Sequence, residues 1–104
     1  MQNKFIAEFT EIAKGDLSKI LDYIEFELMN PKAASDFAED VFNGINRACE
    51  NPLMYQVASN ELIMAKDVRR FIVSNYKVFY QTIDNRLIIL RIVYSKRDMQ
   101  GLLS

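Results

Sequence analysis

In the first third of the chain, the spacing of hydrophobic residues changes from that of a strand to that of a helix. Residues 5–9 alternate between more apolar and more polar positions, which is typical of a short strand with one apolar face. After a break at Gly15, apolar residues recur every three or four positions as far as Met29, which predicts an amphipathic helix over residues 15–29. Asn30-Pro31 then marks a restart, because Asn caps a new helix and Pro fits its first turn.

The second helix has the clearer stripe. Apolar residues follow helical spacing from Ala34 to Cys49, over four turns, and Asn51-Pro52 ends the pattern. The short link at Asn30-Pro31 makes the two helices an antiparallel hairpin. Cys49 lies within the apolar stripe, so we expect a small buried side chain and not a reactive thiol.

The last third predicts a sheet. Residues 53–67 show no dominant period and predict a surface connection with a turn near residues 58–60. Three runs rich in β-branched and aromatic residues follow, at 68–73, 76–83 and 87–94. Short polar turns at Ser74-Asn75 and Asp84-Asn85 separate them, which predicts an antiparallel meander and leaves room for one helical turn after Ser95. The whole chain reads as one α+β domain with its helices on one sheet face.

Composition narrows the classes of protein that fit this pattern. The chain has 104 residues, 50% of them hydrophobic and 26% charged, which is the balance of one ordinary folded domain and excludes extensive disorder. No run approaches the ~18 apolar residues of a membrane span, and the N-terminus does not resemble a signal peptide. We therefore expect a cytoplasmic protein.

The absence of histidine restricts the chemistry. One cysteine and no histidine exclude an internal disulfide, the usual zinc sites, and Ser-His-Asp or Cys-His catalysis. We expect no metal and no other cofactor. Any acid–base step must use a Tyr, Lys, Asp or Glu whose pKa is shifted by its surroundings.

Charge is segregated along the chain. Residues 1–65 carry five Lys and Arg against eleven Asp and Glu, a net charge of −6, whereas residues 66–104 carry eight against three, a net charge of +5. A local basic face attracts polyanions whatever the total charge, although clustered solvating charges give the same count. The meander holds the basic candidates Arg69, Arg70, Lys77 and Arg91, and Lys96 and Arg97 follow its last strand. Alternation predicts Tyr76 and Tyr80 on one face of their strand and Lys77 and Phe79 on the other. A basic sheet face with aromatic residues could hold RNA through phosphate contacts and base stacking.

The segments RRFIVSNYKVFY (69–80) and IILRIVYSKRD (88–98) resemble the C-terminal signature of the RelE/ParE toxins of type II toxin-antitoxin modules, which include plasmid stabilisation systems. The first half resembles the family's helical hairpin at Ala13, Asp16-Leu17, Ile20, Tyr23-Ile24, Asn30-Pro31, Ala33-Ala34, Phe37 and Asn51-Pro52. The resemblance spans nearly the whole chain. It implies a helical hairpin on a small, mostly antiparallel sheet.

One branch of that family cuts mRNA in the ribosomal A site without metal, using the 2′-hydroxyl of the RNA as nucleophile. The resemblance implies that Arg70, Lys77 and Arg97 stabilise the charge on the phosphate. The cutting branch commonly has a Tyr or His near its C-terminus, which this chain lacks, so Tyr94 is the candidate proton acceptor. Other basic residues, Arg69, Arg91 and Lys96, are candidate RNA contacts. The expected site requires these side chains to converge once the meander folds.

Three functions stay open at this point. The favoured one is a ribosome-dependent endoribonuclease that inhibits translation, and the second, close behind it, is a gyrase inhibitor without catalytic activity. The third is a weakly toxic homologue that keeps only its antitoxin-binding surface. All three imply a small antitoxin that wraps around the toxin, and Tyr23, Phe26 and Met29 of the hairpin are candidates for that contact.

Overall fold

The computed structural model describes residues 5–58 and 67–96. Within them the chain forms two helices, one π-helical turn and five strands. In order, they are β1 (Ile6–Phe9), α1 (Glu11–Asp22), the π-helical turn (Tyr23–Glu27), α2 (Pro31–Glu50), β2 (Gln56–Val57), β3 (Arg69–Val73), β4 (Tyr76–Ile83) and β5 (Arg86–Tyr94). Arg97, most of the predicted turn at 58–60 and most of the segment after Ser95 lie outside the described residues.

The strands form one mixed sheet in the order β1-β5-β4-β3-β2. Strands β3, β4 and β5 are the predicted antiparallel meander, and β1 lies parallel to β5 with Ile6 beside Arg86. The two-residue turns place Ser74 and Asp84 at φ 54° and 56°, the left-handed geometry that tight hairpins require at their first central position. The predicted α+β architecture is confirmed.

Helix α1 begins earlier than the sequence pattern predicts. Thr10 is its N-cap, because the Thr10 hydroxyl accepts a hydrogen bond from Ala13 N at 3.0 Å and donates one to the Leu90 carbonyl at 3.0 Å. Gly15 lies inside the helix, so the predicted start at Gly15 is wrong. The helix then widens into the π-helical turn, where Leu28 N donates to the Tyr23 carbonyl at 3.0 Å, five residues back.

The connection after α2 also departs from the prediction of an irregular surface segment. Gln56 and Val57 form β2, which pairs antiparallel with Arg70 and Arg69 at the edge of the sheet. Ala58 beside them is buried. Among the described residues, no helix is both long and apolar enough to cross a lipid bilayer.

Each face of the sheet has its own apolar cluster. The larger one lies under the helices, where Phe37, Val41 and Ile45 of α2 belong to the same core as Val78 and Ile89 of the sheet. Cys49 belongs to this core and is 3% exposed, as predicted for a small buried residue. The smaller cluster, on the outer face of the sheet, consists of Ala58, Val68, Phe79 and Val93 with Leu90 against it.

Side-chain alternation in β4 fixes which residues face the helices. Tyr76, Val78 and Tyr80 pack in the helix-side core, so Lys77 and Phe79 between them face outward. The same alternation puts Phe71 on the helix side and Arg70 on the outer face of β3. The two faces therefore present different chemistry to any partner.

Candidate functional site

Arg70 and Lys77 lie together on the outer face. Arg70 is paired with Phe79, and Lys77 is paired with Ile72, so the two cations are diagonal neighbours on adjacent strands. Diagonal neighbours have β-carbons roughly 7–8 Å apart, which is within the reach of two long side chains toward one anion. Both side chains are half-buried. The structure thus brings together two of the four residues proposed as catalytic.

Tyr94 lies on the other side of the sheet. It is paired with Tyr76, with ring centroids 5.7 Å apart, and the residue paired with Lys77 is Val93. Because paired residues share a face and neighbours along a strand alternate, the Tyr94 phenol faces the helix side. The expected convergence of Tyr94 with Arg70 and Lys77 is therefore wrong.

Arg91 forms an internal ion pair. Its Nε and Nη2 donate to the two carboxylate oxygens of Asp16 at 2.8 and 3.1 Å, and the Ile92 backbone N–H donates to the same carboxylate at 2.9 Å. The two side chains are only 15% and 14% exposed. A β-bulge lies beside this contact, where Tyr80 pairs with Ile89 and Phe79 with Arg91. The guanidinium expected to contact RNA thus joins the sheet to α1.

The other basic candidates within the described residues, Arg69 and Lys96, do not form one cluster. Arg69 shares the helix side with Tyr80, and its Nη1 donates to the Tyr55 carbonyl at 2.7 Å. Lys96 is exposed in the turn after β5, next to Ser95, whose N–H donates to the Asn75 carbonyl at 2.7 Å. Arg69 therefore makes an internal contact, whereas Lys96 lies at the end of the sheet.

Sequence reasoning missed Arg47 as a neighbour of the basic face. Arg47, in the last turn of α2, lines a groove of about 320 Å³ with Arg70 and Gln56, and its Nε donates to the Tyr55 hydroxyl at 3.3 Å. Arg47 lies within residues 1–65, where acidic residues outnumber basic ones. Charge counting along the chain therefore did not indicate a basic residue at this surface. It extends the cationic surface beyond the meander.

The tip of the helical hairpin exposes large apolar side chains. Tyr23 is 50% exposed, Phe26 66% and Met29 83%. Tyr23 and Phe26 line one shallow groove together with the charged residues Lys19, Asp22 and Glu27. Such a group of exposed apolar side chains is typical of a surface that a protein partner covers.

A larger pocket, of about 760 Å³, lies between the π-helical turn, α2 and the adjoining ends of the sheet strands. Its lining residues are Tyr23, Ile24, Leu28, Ala33, Asp36, Phe37, Asp40, Ser74, Asn75, Tyr76 and Tyr94. Burial raises the pKa of Tyr76, and the neighbouring Tyr23 and Tyr94 phenols add to the rise. The described lining contains two carboxylates and neither Lys nor Arg, so these walls supply no cation to activate Tyr94 as a base.

Tyr80 has a structural role. Its hydroxyl donates to the Pro52 carbonyl at 2.6 Å, and the ring is 1% exposed. Burial raises the pKa of Tyr80 to about 12, against a smaller lowering by Arg69. The phenol therefore stays protonated at neutral pH and holds the segment after α2 against the sheet.

Comparison with known proteins adds independent findings. Residues 7–99 match the family model described as the ParE toxin of the type II toxin-antitoxin system parDE. No curated protein sequence matches the chain closely enough to count as a relative.

Among the solved structures that share the fold are two from toxin-antitoxin systems. A chain from the chromosomal ParDE toxin-antitoxin system of P. aeruginosa has a TM-score of 0.71 at 16% identity, covering 91% of this chain and 100% of that one. A chain from the RelBE2 toxin-antitoxin complex of Mycobacterium tuberculosis has a TM-score of 0.55 at 19% identity, covering 88% and 98%. At these identities the likeness concerns the fold alone.

Proposed function

The chain belongs to the RelE/ParE family of toxins of type II toxin-antitoxin systems, and we propose that it arrests growth as a ParE-type inhibitor of DNA gyrase, by binding and not by RNA cleavage. One observation favours binding over RNA cleavage. Tyr94, the candidate base, lies on the opposite face of the sheet from the diagonal neighbours Arg70 and Lys77. A binding surface does not require a base beside those cations.

RNA cleavage makes stricter demands. Attack by a 2′-hydroxyl needs a proton acceptor, a proton donor and cations around a single phosphate. Tyr94 is in contact with Tyr76 on the helix side, and Arg91 is held by Asp16. Arg70 and Lys77 supply positive charge on the outer face, which suits the recognition of an acidic or polyanionic target surface.

Ribosome-dependent mRNA cleavage is the second candidate. It is favoured by the diagonal placement of Arg70 and Lys77 on one face, since two phosphate-stabilising cations would need that proximity. Under this alternative the proton acceptor is a residue other than Tyr94, and Arg97 would complete the set of cations.

Family membership also implies a small antitoxin partner, and the two solved structures described above come from toxin-antitoxin systems. We propose that this partner covers the exposed side chains Tyr23, Phe26 and Met29. Covering three large apolar side chains is worth a few kcal/mol of binding free energy at roughly 25 cal/mol per Å².

The gyrase proposal is tested by inducing the protein alone and together with the reading frame adjacent to its own. We expect growth arrest that the second product relieves, with a DNA-damage response, trapped gyrase cleavage complexes and intact mRNA in the arrested cells. Rapid loss of translation with codon-linked mRNA cuts would instead support the nuclease. The absence of any growth defect would identify the weakly toxic homologue.

A further inference from the structure

Three tyrosines and two aspartates of the large pocket form a distinct arrangement, called here the tyrosine pocket: Tyr23, Tyr76, Tyr94, Asp36 and Asp40. The Tyr76 and Tyr94 rings meet edge to face, with centroids 5.7 Å apart. Phe37 at the pocket base holds Tyr76 in a second edge contact at 5.2 Å. The volume of about 760 Å³ falls in the range of protein pockets that bind small groups.

The π-helical turn shapes one wall of this pocket. The wider turn places Tyr23, Ile24 and Leu28 on the pocket side, and Asn30 N donates to the Ile24 carbonyl at 3.1 Å as the chain turns into α2. Segments of π-helix occur frequently at functional sites, where they adjust the position of side chains. Nothing in the toxic activity proposed above uses this wall.

The electrostatics of the tyrosine pocket favour a cation. Asp36 and Asp40 are one helical turn apart on α2, and both line the pocket. Asp36 is bonded to Lys32 at 2.9 Å, but this pair is exposed and contributes little stability, so a better-placed cation can replace Lys32. Asp40 has no ion pair among the described residues. Phenol rings attract a cation through their faces and carboxylates attract it through charge.

We propose that the tyrosine pocket receives an arginine side chain of the antitoxin. Arginine fits better than lysine because a planar guanidinium stacks on aromatic rings and bonds a carboxylate with two N–H groups. The inference rests on the proposed toxin function for the existence of the antitoxin. It adds that the bound segment is basic where it crosses the helical hairpin, opposite in sign to the partner of the outer face.

The neighbouring surface supports the same partner chemistry. Tyr23 belongs both to the tyrosine pocket and to the shallow groove with Phe26. A segment that places apolar side chains on Phe26 can therefore reach the pocket with its next long side chain. The charged lining of the groove is Asp22, Glu27 and Lys19, so its acidic residues outnumber its single cation and the groove disfavours an acidic segment.

Arginine binding is measured on the purified protein by NMR, with the tyrosine rings isotopically labelled. The chain has five tyrosines, of which three line the pocket, while Tyr55 and Tyr80 lie elsewhere and serve as internal controls. Titration with N-acetyl-arginine amide is expected to shift the three pocket signals saturably and to leave the two controls in place. The uncharged N-acetyl-citrulline amide, of nearly equal shape, should bind about tenfold more weakly.

Variants test the role of the carboxylates. Replacing Asp36 and Asp40 together, D36N with D40N, should weaken binding of the arginine probe about tenfold, because the charge-assisted bonds are lost. Glu39→Gln is the control for the loss of a carboxylate elsewhere on α2, since Glu39 is exposed on the same helix and does not line the pocket. The proposal would be overturned if the citrulline probe bound as tightly as the arginine probe. It would also be overturned if the double variant bound the arginine probe as tightly as the parent protein does.

The antitoxin assignment is tested separately by coexpression with the adjacent reading frame. The D36N and D40N double variant should retain less of the copurifying partner than Glu39→Gln does. If the arginine probe binds but partner retention is unchanged, the assignment to the antitoxin is wrong. The probe experiment does not depend on gyrase or growth arrest, so failure of the toxin proposal would be seen independently.

Discussion

Replacing Asp16 with alanine is expected to lower the free energy of unfolding by about 3 kcal/mol, because it leaves a mostly buried guanidinium without its partner. The Asp16 carboxylate accepts three hydrogen bonds, two from Arg91 and one from the Ile92 backbone. Losing it leaves all three donors unsatisfied at the junction of α1 and β5. The change therefore costs more than the removal of a typical surface charge.

Urea unfolding of the purified variant measures this effect. Glu8→Ala is the matched control: it removes a carboxylate bonded to Arg86 at 3.3 Å, but in a pair whose side chains are 44% and 46% exposed. Glu8→Ala should lower the free energy of unfolding by less than about 1 kcal/mol. In a double-mutant cycle, replacing Arg91 as well should restore part of the unfolding free energy that Asp16→Ala loses. Equal costs for Asp16→Ala and Glu8→Ala would contradict the assignment of Arg91 to a structural role.

Replacing Gly44 with alanine is expected to destabilise the protein by roughly 1–3 kcal/mol, the usual cost of overpacking a core. A β-carbon at Gly44 would lie 2.4 Å from a ring atom of Phe71, where α2 packs on β3. Glycine in a helix interior is otherwise unfavourable, so its presence here reflects close approach of the helix and not helix propensity. The ring would have to move within a packed core.

Gly15→Ala is the control for the Gly44 prediction. An alanine β-carbon at Gly15 meets nothing within 4 Å, so the same substitution in α1 should stabilise by roughly 0.5–1 kcal/mol. Opposite signs in thermal or urea unfolding are the expected result. If both variants were stabilised, the close contact between α2 and β3 would be wrong.

Local patterns predicted the elements wherever the period was clear. The meander strand Tyr76–Ile83 has the predicted bounds, because alternation and two-residue turns both act within a few residues. The start of α1 was missed because Gly15-Asp16 resembles a break, whereas the actual cap, Thr10, is fixed partly by Leu90, 80 residues away. Strand β2 was missed for the same reason, since its two residues are ordered by pairing with β3.

The candidate site was harder to predict than the fold. Alternation correctly separated Tyr76 and Tyr80 from Lys77 and Phe79 on the two faces of β4. The face on which Tyr94 lies depends on how β4 and β5 are paired, and this pairing contains a β-bulge. Likewise, no local signal connects Arg91 to Asp16, 75 residues away. Charge counts along the chain therefore overstated how many cations share one surface.

We propose that the outer face carrying Arg70 and Lys77 acts by binding, separately from Tyr94. The most direct measurement is DNA supercoiling by purified gyrase in the presence of the purified toxin. We expect inhibition by the parent protein and by the charge-matched control K14A with K19A, and about tenfold weaker inhibition by R70A with K77A. Undisturbed gyrase, together with cleavage of ribosome-bound mRNA by the parent protein, would contradict this proposal, whether or not Tyr94→Phe abolishes the cleavage.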